Sequence, residues 1–265
     1  MSEQWQDFEN ECYLHLKNQY SKYATFRAYG QSDSTVPDIL TTLSDGSSFY
    51  IETKSPNAQS GQFVLIANES ERKFDYSPRN TTPFLPATKI IIDHMNNDYN
   101  SFASAGTKGE KISLAPSVFY SWIKDYYSSK GVRYFITKGN DYLIFPVEHF
   151  DEYFDVTATY RIKKSGSSAP SNSNITEIEN ILCDNHITGE FTFDGKEVFL
   201  KTDADLDGKK LSGDKYTYFF RKGTNTNFLI RKLSNTHNAN VIFQISLKNL
   251  NQNPYDIKMF LEAIR

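Results

Sequence analysis

Asp38, Glu52 and Lys54 are the residues of this sequence whose types and spacing best suit chemistry on a phosphate. Side chains alternate across a strand, so Glu52 and Lys54 share one face. If Asp38 lies beside them, two acids and one ammonium converge on a point. Oxygen ligands of this kind suit a hard cation, which keeps several waters and takes one or two carboxylates plus a phosphate oxygen. Asp38 and Glu52 are therefore the candidate metal ligands, and the Thr53 carbonyl offers a third oxygen. A cation there would polarise a phosphoryl oxygen and acidify a bound water. Lys54 could orient that water and stabilise charge in a pentacovalent transition state.

A β-hairpin would position these groups. The first strand reads Asp38–Leu43, Asp45-Gly46 is a turn signal, and the second strand reads Ser48–Lys54. The acid-x-Lys pattern alone is cheap, occurring five times in the chain. Asp194-Gly195-Lys196 and Asp207-Gly208-Lys209 look like turns. Glu71-Arg72-Lys73 sits in a polar run expected to be helical, and Asp256-Ile257-Lys258 in a C-terminal amphipathic helix. Only Glu52-Thr53-Lys54 ends an apolar strand with a Pro-Asp strand and a turn upstream. The competing reading is an exposed hairpin with ordinary surface ions on one face.

Further elements follow along the chain. Trp5, Phe8, Cys12, Leu16 and Tyr20 recur at helical steps over residues 4–23. Thr25–Tyr29 continues a sheet with the hairpin. Residues 60–74 read as loop then helix, and Lys89–Asp93 as a buried strand. Ala115–Ser128 reads as a helix with Pro116 in its first turn. Arg133–Thr137 and Tyr142–Phe145 read as strands separated by Gly139-Asn140. Alternating strands and helices imply an α/β core. Ser165–Asn174 is a break in composition that reads as a loop or linker. Beyond it lie a helix at about 175–186, a hairpin around Asp194-Gly195, strands near 215–221, 227–233 and 240–246, and a helix over 255–264.

Pro37-Asp38, thirteen residues, then Glu52-Thr53-Lys54 fits the PD-(D/E)xK nuclease pattern. The segment from Tyr50 to Leu65 resembles the one after the catalytic strand in HhaI-type type II restriction endonucleases. Similar blocks are Lys73–Pro78, Ile144–Phe150, Thr159–Ser167 and Leu233–Phe243. Two departures fall at the hairpin: the Asp38 to Glu52 spacing is two residues longer than in that group, and Pro37 stands in place of Ser. The resemblance implies an α/β (α+β) fold, a PD-(D/E)xK core whose mixed β-sheet is flanked by helices, plus a β-rich C-terminal DNA-binding region. The expected division is a catalytic core with part of the DNA-recognition surface over 1–164, a linker or loop over 165–174 and a β-rich DNA-binding and recognition region over 175–265. It also implies double-stranded DNA as substrate, Mg2+ as cofactor with Mn2+ as a substitute, and 5′-phosphate and 3′-hydroxyl ends. A GCGC palindrome, a monomer and a companion DNA methyltransferase complete the implication.

Members of the superfamily often bring a Glu from the first helix near the metal. Glu9 fits that use best, with Glu11 as neighbour and a solvent-facing Glu as the alternative. Gln62 follows the catalytic strand closely enough to reach the phosphate. Base edges are read by Arg or Lys at guanine and by Asn or Gln at adenine. The candidates are Arg161, Lys163, Lys164, Ser165 and Ser167 in one block, and Arg231, Lys232, Asn235, Asn238 and Asn240 in another. Some of these would grip phosphates, and some asparagines would form turns. The rival readings are a nicking, repair or junction-resolving nuclease, and a DNA-binding module that does not cut.

The net charge of −3 is not that of a typical nucleic-acid binder, but its distribution is uneven. From Lys209 to Lys248 there are eight Lys or Arg against Asp214 alone, the asymmetry expected of a surface that meets a phosphate backbone. Guarding of a sheet edge by lysines is the alternative. Cys12 and Cys183 form neither a disulfide framework nor a zinc pattern, and a reduced cytoplasm is the expected compartment. No apolar run has transmembrane length, and the N-terminus lacks a signal-peptide pattern.

Overall fold

The computed structural model describes residues 3–29, 36–164, 166–223, 227–234 and 237–265, without the side chains of residues 3–5, 163, 164 and 237. It divides into two compact units, Met1–Arg161 with Ala239–Arg265, and Ile162–Asn238.

The first unit begins with α1 (Glu3–Tyr20), β1 (Thr25–Ala28), β2 (Ile39–Thr42) and β3 (Ser48–Thr53). The β2–β3 turn forms because Gly46 takes φ 85° and Asp45 Oδ1 accepts from the Ser47 amide at 2.8 Å. Next come β4 (Asn57–Asn68), β5 (Lys73–Tyr76), α2 (Pro86–Asn97), α3 (Tyr99–Ala103), β6 (Glu110–Lys111) and α4 (Pro116–Ser129). They are followed by β7 (Val132–Lys138), β8 (Tyr142–Pro146), α5 (Phe150–Tyr153) and β9 (Phe154–Lys164).

The second unit contains β10 (Ser167–Ser168), α6 (Asn172–Asp184), β11 (Glu190–Asp194), β12 (Glu197–Lys201), β13 (Lys210–Ser212), β14 (Thr217–Lys222) and β15 (Asn227–Leu233). The chain then returns to the first unit through β16 (His237–Leu247) and α7 (Pro254–Ala263).

One sheet of the first unit has the order β1-β2-β3-β7-β8. Only the β3–β7 pair is parallel, with Glu52 opposite Phe135 and Thr53 opposite Ile136. Both faces are covered, which accounts for the nearly continuous apolar runs of β7 and β8. Ile51, Tyr134, Ile136 and Ile144 pack with Cys12 and Leu16 of α1 and Phe260 of α7. Phe135, Leu143 and Phe145 turn to the other side, where Trp122, Ile123 and Tyr127 of α4 lie. The other sheet has the order β5-β4-β16-β9-β6. In the second unit the order is β11-β12-β15-β14-β13, with β10 also paired to β15. Its core joins Ile178, Ile181 and Leu182 of α6 to Leu200, Phe220 and Ile230.

Four expectations require correction. Lys89–Asp93 is part of α2, not a strand. Three consecutive isoleucines cannot distinguish strand from buried helix, whereas Pro86 at the helix start and buried Ala87, Thr88, Ile91 and Met95 can. Residues 60–74 form two strands, not a loop and helix, and Glu71-Arg72-Lys73 enters a turn in which Arg72 has φ 51°. The strand was obscured by a bulge: Gly61 faces Phe243 and Gln59 faces Gln244, so Ser60 has no opposite residue. Burial consequently switches phase, from Ser60 to Phe63 and Leu65. Gly61 sits at φ 144°, and a Cβ there would lie 2.6 Å from Trp122 Cζ3.

The stretch 165–174 is not simply a linker, because β10 lies within it and Ser171 with Asn174 forms a capping box for α6. Finally, 175–265 is not one region. β16 pairs with β4, and α7 packs with α1, so both belong with the hairpin unit.

Candidate active site

The hairpin brings its two acids and lysine together. Asp38, just before β2, accepts from the Thr53 amide at 2.8 Å and the Thr53 hydroxyl at 2.6 Å, both at Oδ2. Lys54 lies just past β3, where its amide donates to the Ile136 carbonyl at 3.0 Å and continues the parallel ladder. Its Nζ sits 2.6 Å from Glu52 Oε1, with the two side chains 12% and 10% exposed. Asp38 Oδ1 and Glu52 Oε2 have no hydrogen-bond partner among the described residues. Lys54 Nζ also lies 5.2 Å from the ring centroid of Tyr127, on α4.

Glu9 joins this group from α1. Burial, then the charges of Asp38 and Glu52, raise its carboxyl to about pH 8. Glu52 is likewise raised by burial, with Lys54 opposing and Asp38 adding to the shift. Burial works against the Lys54 ammonium, but Glu52, Tyr127 and Asp38 outweigh it and hold its pKa well above the ordinary value. A cavity of about 280 Å³ is lined by Gln6, Glu9, Asn10, Ala28, Asp38 and Ile39. Glu11 points elsewhere, to Lys138 at 3.2 Å.

The donor set fits a hard divalent cation. It consists of carboxylate oxygens that repel one another in a partly buried place, and each of Asp38 and Glu52 keeps one oxygen uncommitted to protein donors. Thr53 is bound to Asp38 through its amide and hydroxyl, which leaves its carbonyl as the candidate third oxygen.

The repulsion at Glu9 has a thermal consequence. A carboxyl whose folded pKa lies above its ordinary 4.5 holds a proton that the unfolded chain releases. Its contribution to stability is therefore present at low pH and falls as pH rises from the unfolded pKa to the folded one. In chelator, Glu9→Gln should melt close to the wild type near pH 4 and progressively above it by pH 9. Melting curves across that range check this, and a constant difference would contradict it.

The other residues singled out in the sequence share no hydrogen bond or ion pair with Asp38, Glu52 or Lys54 among the described residues. Gln62 is exposed on β4 and accepts from Gln59 Nε2 at 3.1 Å. The bulge makes that bond possible, since residues three apart in a regular strand face opposite ways. Gln59 and Gln62 thus join Gln244, Asn57 and Ser246 on one face of the β4–β16 ladder. An amide both donates and accepts, so this row has the chemistry to meet base edges. No sequence pattern gave it away, because the pairing crosses more than 180 residues.

Arg161 closes the first unit, and its buried Nε has no hydrogen-bond partner among the described residues. Lys163 and Lys164 end β9, but their side chains lie outside the described residues, as do Ser165 and Asn235 altogether. Ser167 and Arg231 bind each other through Nη2 and the Ser167 carbonyl at 3.0 Å. Lys232 donates to Asn174 at 3.2 Å and covers the Tyr216 ring. Asn238 is exposed on β16 and Asn240 is buried, 3% exposed, opposite Val64. The acids and Lys54 are in the first unit, whereas Ser167, Arg231 and Lys232 are in the second.

His149, Glu152 and Asp256 form another group with metal-ligating atoms. Two of its three members are already bound to each other. Asp256 is fully buried, paired at 2.7 Å with His149 Nδ1 and accepting from the Tyr153 hydroxyl at 2.6 Å. These bonds fasten the start of α7 to α5 and the turn before it.

No family model and no curated protein matches the chain. Among solved structures, HhaI endonuclease in complex with DNA is similar over 98% of this chain and 98% of its own, with TM-score 0.84 and 43% sequence identity. The hairpin acids thus sit in a fold shared from end to end with that enzyme, and the chain belongs to the HhaI-type type II restriction endonucleases.

Proposed function

We infer that this site-specific endonuclease cuts double-stranded DNA with Mg2+ held by Asp38, Glu52 and the Thr53 carbonyl, and that its target is the palindrome GCGC. The observation that carries the reading is the meeting of Asp38, Glu52 and Lys54 at the end of a strand pair within an HhaI-like fold. When bound, the cation neutralises phosphate charge and lowers the pKa of a water. Thr53 keeps Asp38 fixed through two hydrogen bonds. Glu52 holds Lys54 charged, so the ammonium can orient the attacking water and stabilise negative charge on the phosphate. Glu9 shares the cavity wall with Asp38 and is a further carboxylate for the same cation. Cleavage leaves 5′-phosphate and 3′-hydroxyl ends.

The protein works as a monomer, cutting the strands in turn, in a cytoplasm where a methyltransferase protects the host sequence. Among the described residues no helix is long and apolar enough to cross a membrane.

Grip on the duplex is separate from chemistry. Lys209 and Lys210 are exposed in the second unit. Replacing both by alanine should weaken binding to cognate and scrambled duplexes by similar factors. Each lost phosphate contact should reduce the slope of log affinity against log salt by about 0.9. Titrations at several salt concentrations, with calcium to block cutting, check this. A loss confined to the cognate duplex would make these lysines base readers instead.

A further inference from the structure

Lys54 is a long, flexible side chain that must stay in one place to act, and Glu52 cannot be its only anchor if Glu52 also serves a cation. An ammonium has three N–H donors. Glu52 accepts one of them at 2.6 Å. The Tyr127 ring stands 5.2 Å from Nζ, within the range where an aromatic face attracts a cation. A neutral ring supplies that attraction without competing for the carboxylates.

Tyr127 is itself fixed on several sides. It is 4% exposed in the core beneath α4. Its hydroxyl donates to the Ser60 carbonyl at 3.1 Å and lies 3.5 Å from Ser60 Oγ. Ser60 is the bulged residue, so its carbonyl meets a side-chain donor where the ladder has no opposite residue. The ring also meets Phe135 edge-on, with centroids 5.0 Å apart, and Phe135 is the residue opposite Glu52 in the sheet. Burial raises the hydroxyl above its ordinary pKa, although the nearby Lys54 ammonium opposes the shift, so it remains neutral.

We propose that Tyr127 is a positioning residue for Lys54: its ring face holds the ammonium beside Glu52, and its hydroxyl, bound to the bulge at Ser60, holds the ring. The inference rests on the reading of Lys54 given above. It makes the bulge part of the site's support, since the same residue orders the strand end and the segment that follows it.

Single-turnover cleavage with magnesium, DNA affinity in calcium, and metal-free NMR of the Lys54 side chain test this together. Tyr127→Leu should slow cleavage by about 30-fold, the effect of one desolvated cation–ring contact, with affinity within about twofold of wild type. Tyr127→Phe keeps the ring and should lose no more than about threefold, through the lost Ser60 bond. The ring-current shift of the Lys54 Cε protons should persist in Tyr127→Phe and vanish in Tyr127→Leu. On a Lys54→Met background, Tyr127→Leu should add nothing to the loss, because the group it positions is gone.

Should the leucine variant fail to fold, Tyr127→Met fills the space without a ring and serves the same comparison. Equal loss in Tyr127→Phe and Tyr127→Leu, an additive effect on Lys54→Met, or an unchanged Lys54 shift would overturn the proposal. Full cleavage by Lys54→Met would instead overturn the reading of Lys54, which keeps the two failures distinct.

Discussion

Glu52→Gln, Asp38→Asn and Lys54→Met should each lower cleavage by at least about 10²–10³-fold while DNA affinity in calcium stays near wild type. The groups removed act on the reacting phosphate, and gripping the duplex falls to other residues. The choice of substitution matters. Glu52→Ala would leave the Lys54 ammonium buried without its carboxylate, and an orphaned buried charge costs about 3–5 kcal/mol. Glutamine keeps the volume and an acceptor for Lys54 while removing the anionic ligand. Asp38→Asn likewise keeps an oxygen for the Thr53 amide and hydroxyl. Glu71→Ala is the matching control from another acid-x-Lys copy. Glu71 lies in an exposed turn beside Lys73, and its loss should leave cleavage intact. Activity lost in Glu71→Ala and kept in Glu52→Gln would place the chemistry in the wrong copy of the motif.

Removal of metal should have an effect of similar size. Magnesium and manganese should support cutting, chelator should abolish it, and calcium should allow binding without turnover. Calcium takes longer and looser oxygen coordination and acidifies water less. The clustered acids supply a second readout. A divalent cation relieves the repulsion among Glu9, Asp38 and Glu52, so it should raise the melting temperature of the wild type at pH 8 more than that of Glu9→Gln. Full cutting in excess chelator would end the metal-dependent account.

The local signals in the sequence were strong where a turn and an alternating strand coincide. Asp45-Gly46 and the apolar stretch before Glu52 specify the β2–β3 hairpin, and the hairpin alone is enough to join Glu52 to Lys54. Asp38 meets Thr53 because the same hairpin registers Ile39 with Ile51. Glu9 could be proposed only through the family resemblance, since helical spacing marks α1's apolar stripe but not which acid turns toward the sheet. The signals failed where burial is two-sided or the period is broken. The three isoleucines of α2 carry no period, and the bulge at Ser60 interrupts the alternation of β4. Long-range pairing was also invisible. Nothing local in β16 shows that it leaves the second unit to pair with β4, or that α4 places Tyr127 beside Lys54.

The most direct test of the central claim is to digest a sequenced plasmid with the purified protein and magnesium and to map every end. The account predicts cuts at one short palindrome, GCGC, wherever it occurs, with 5′-phosphate and 3′-hydroxyl termini and none in chelator. Intact plasmid, or ends scattered without a shared sequence, would contradict it.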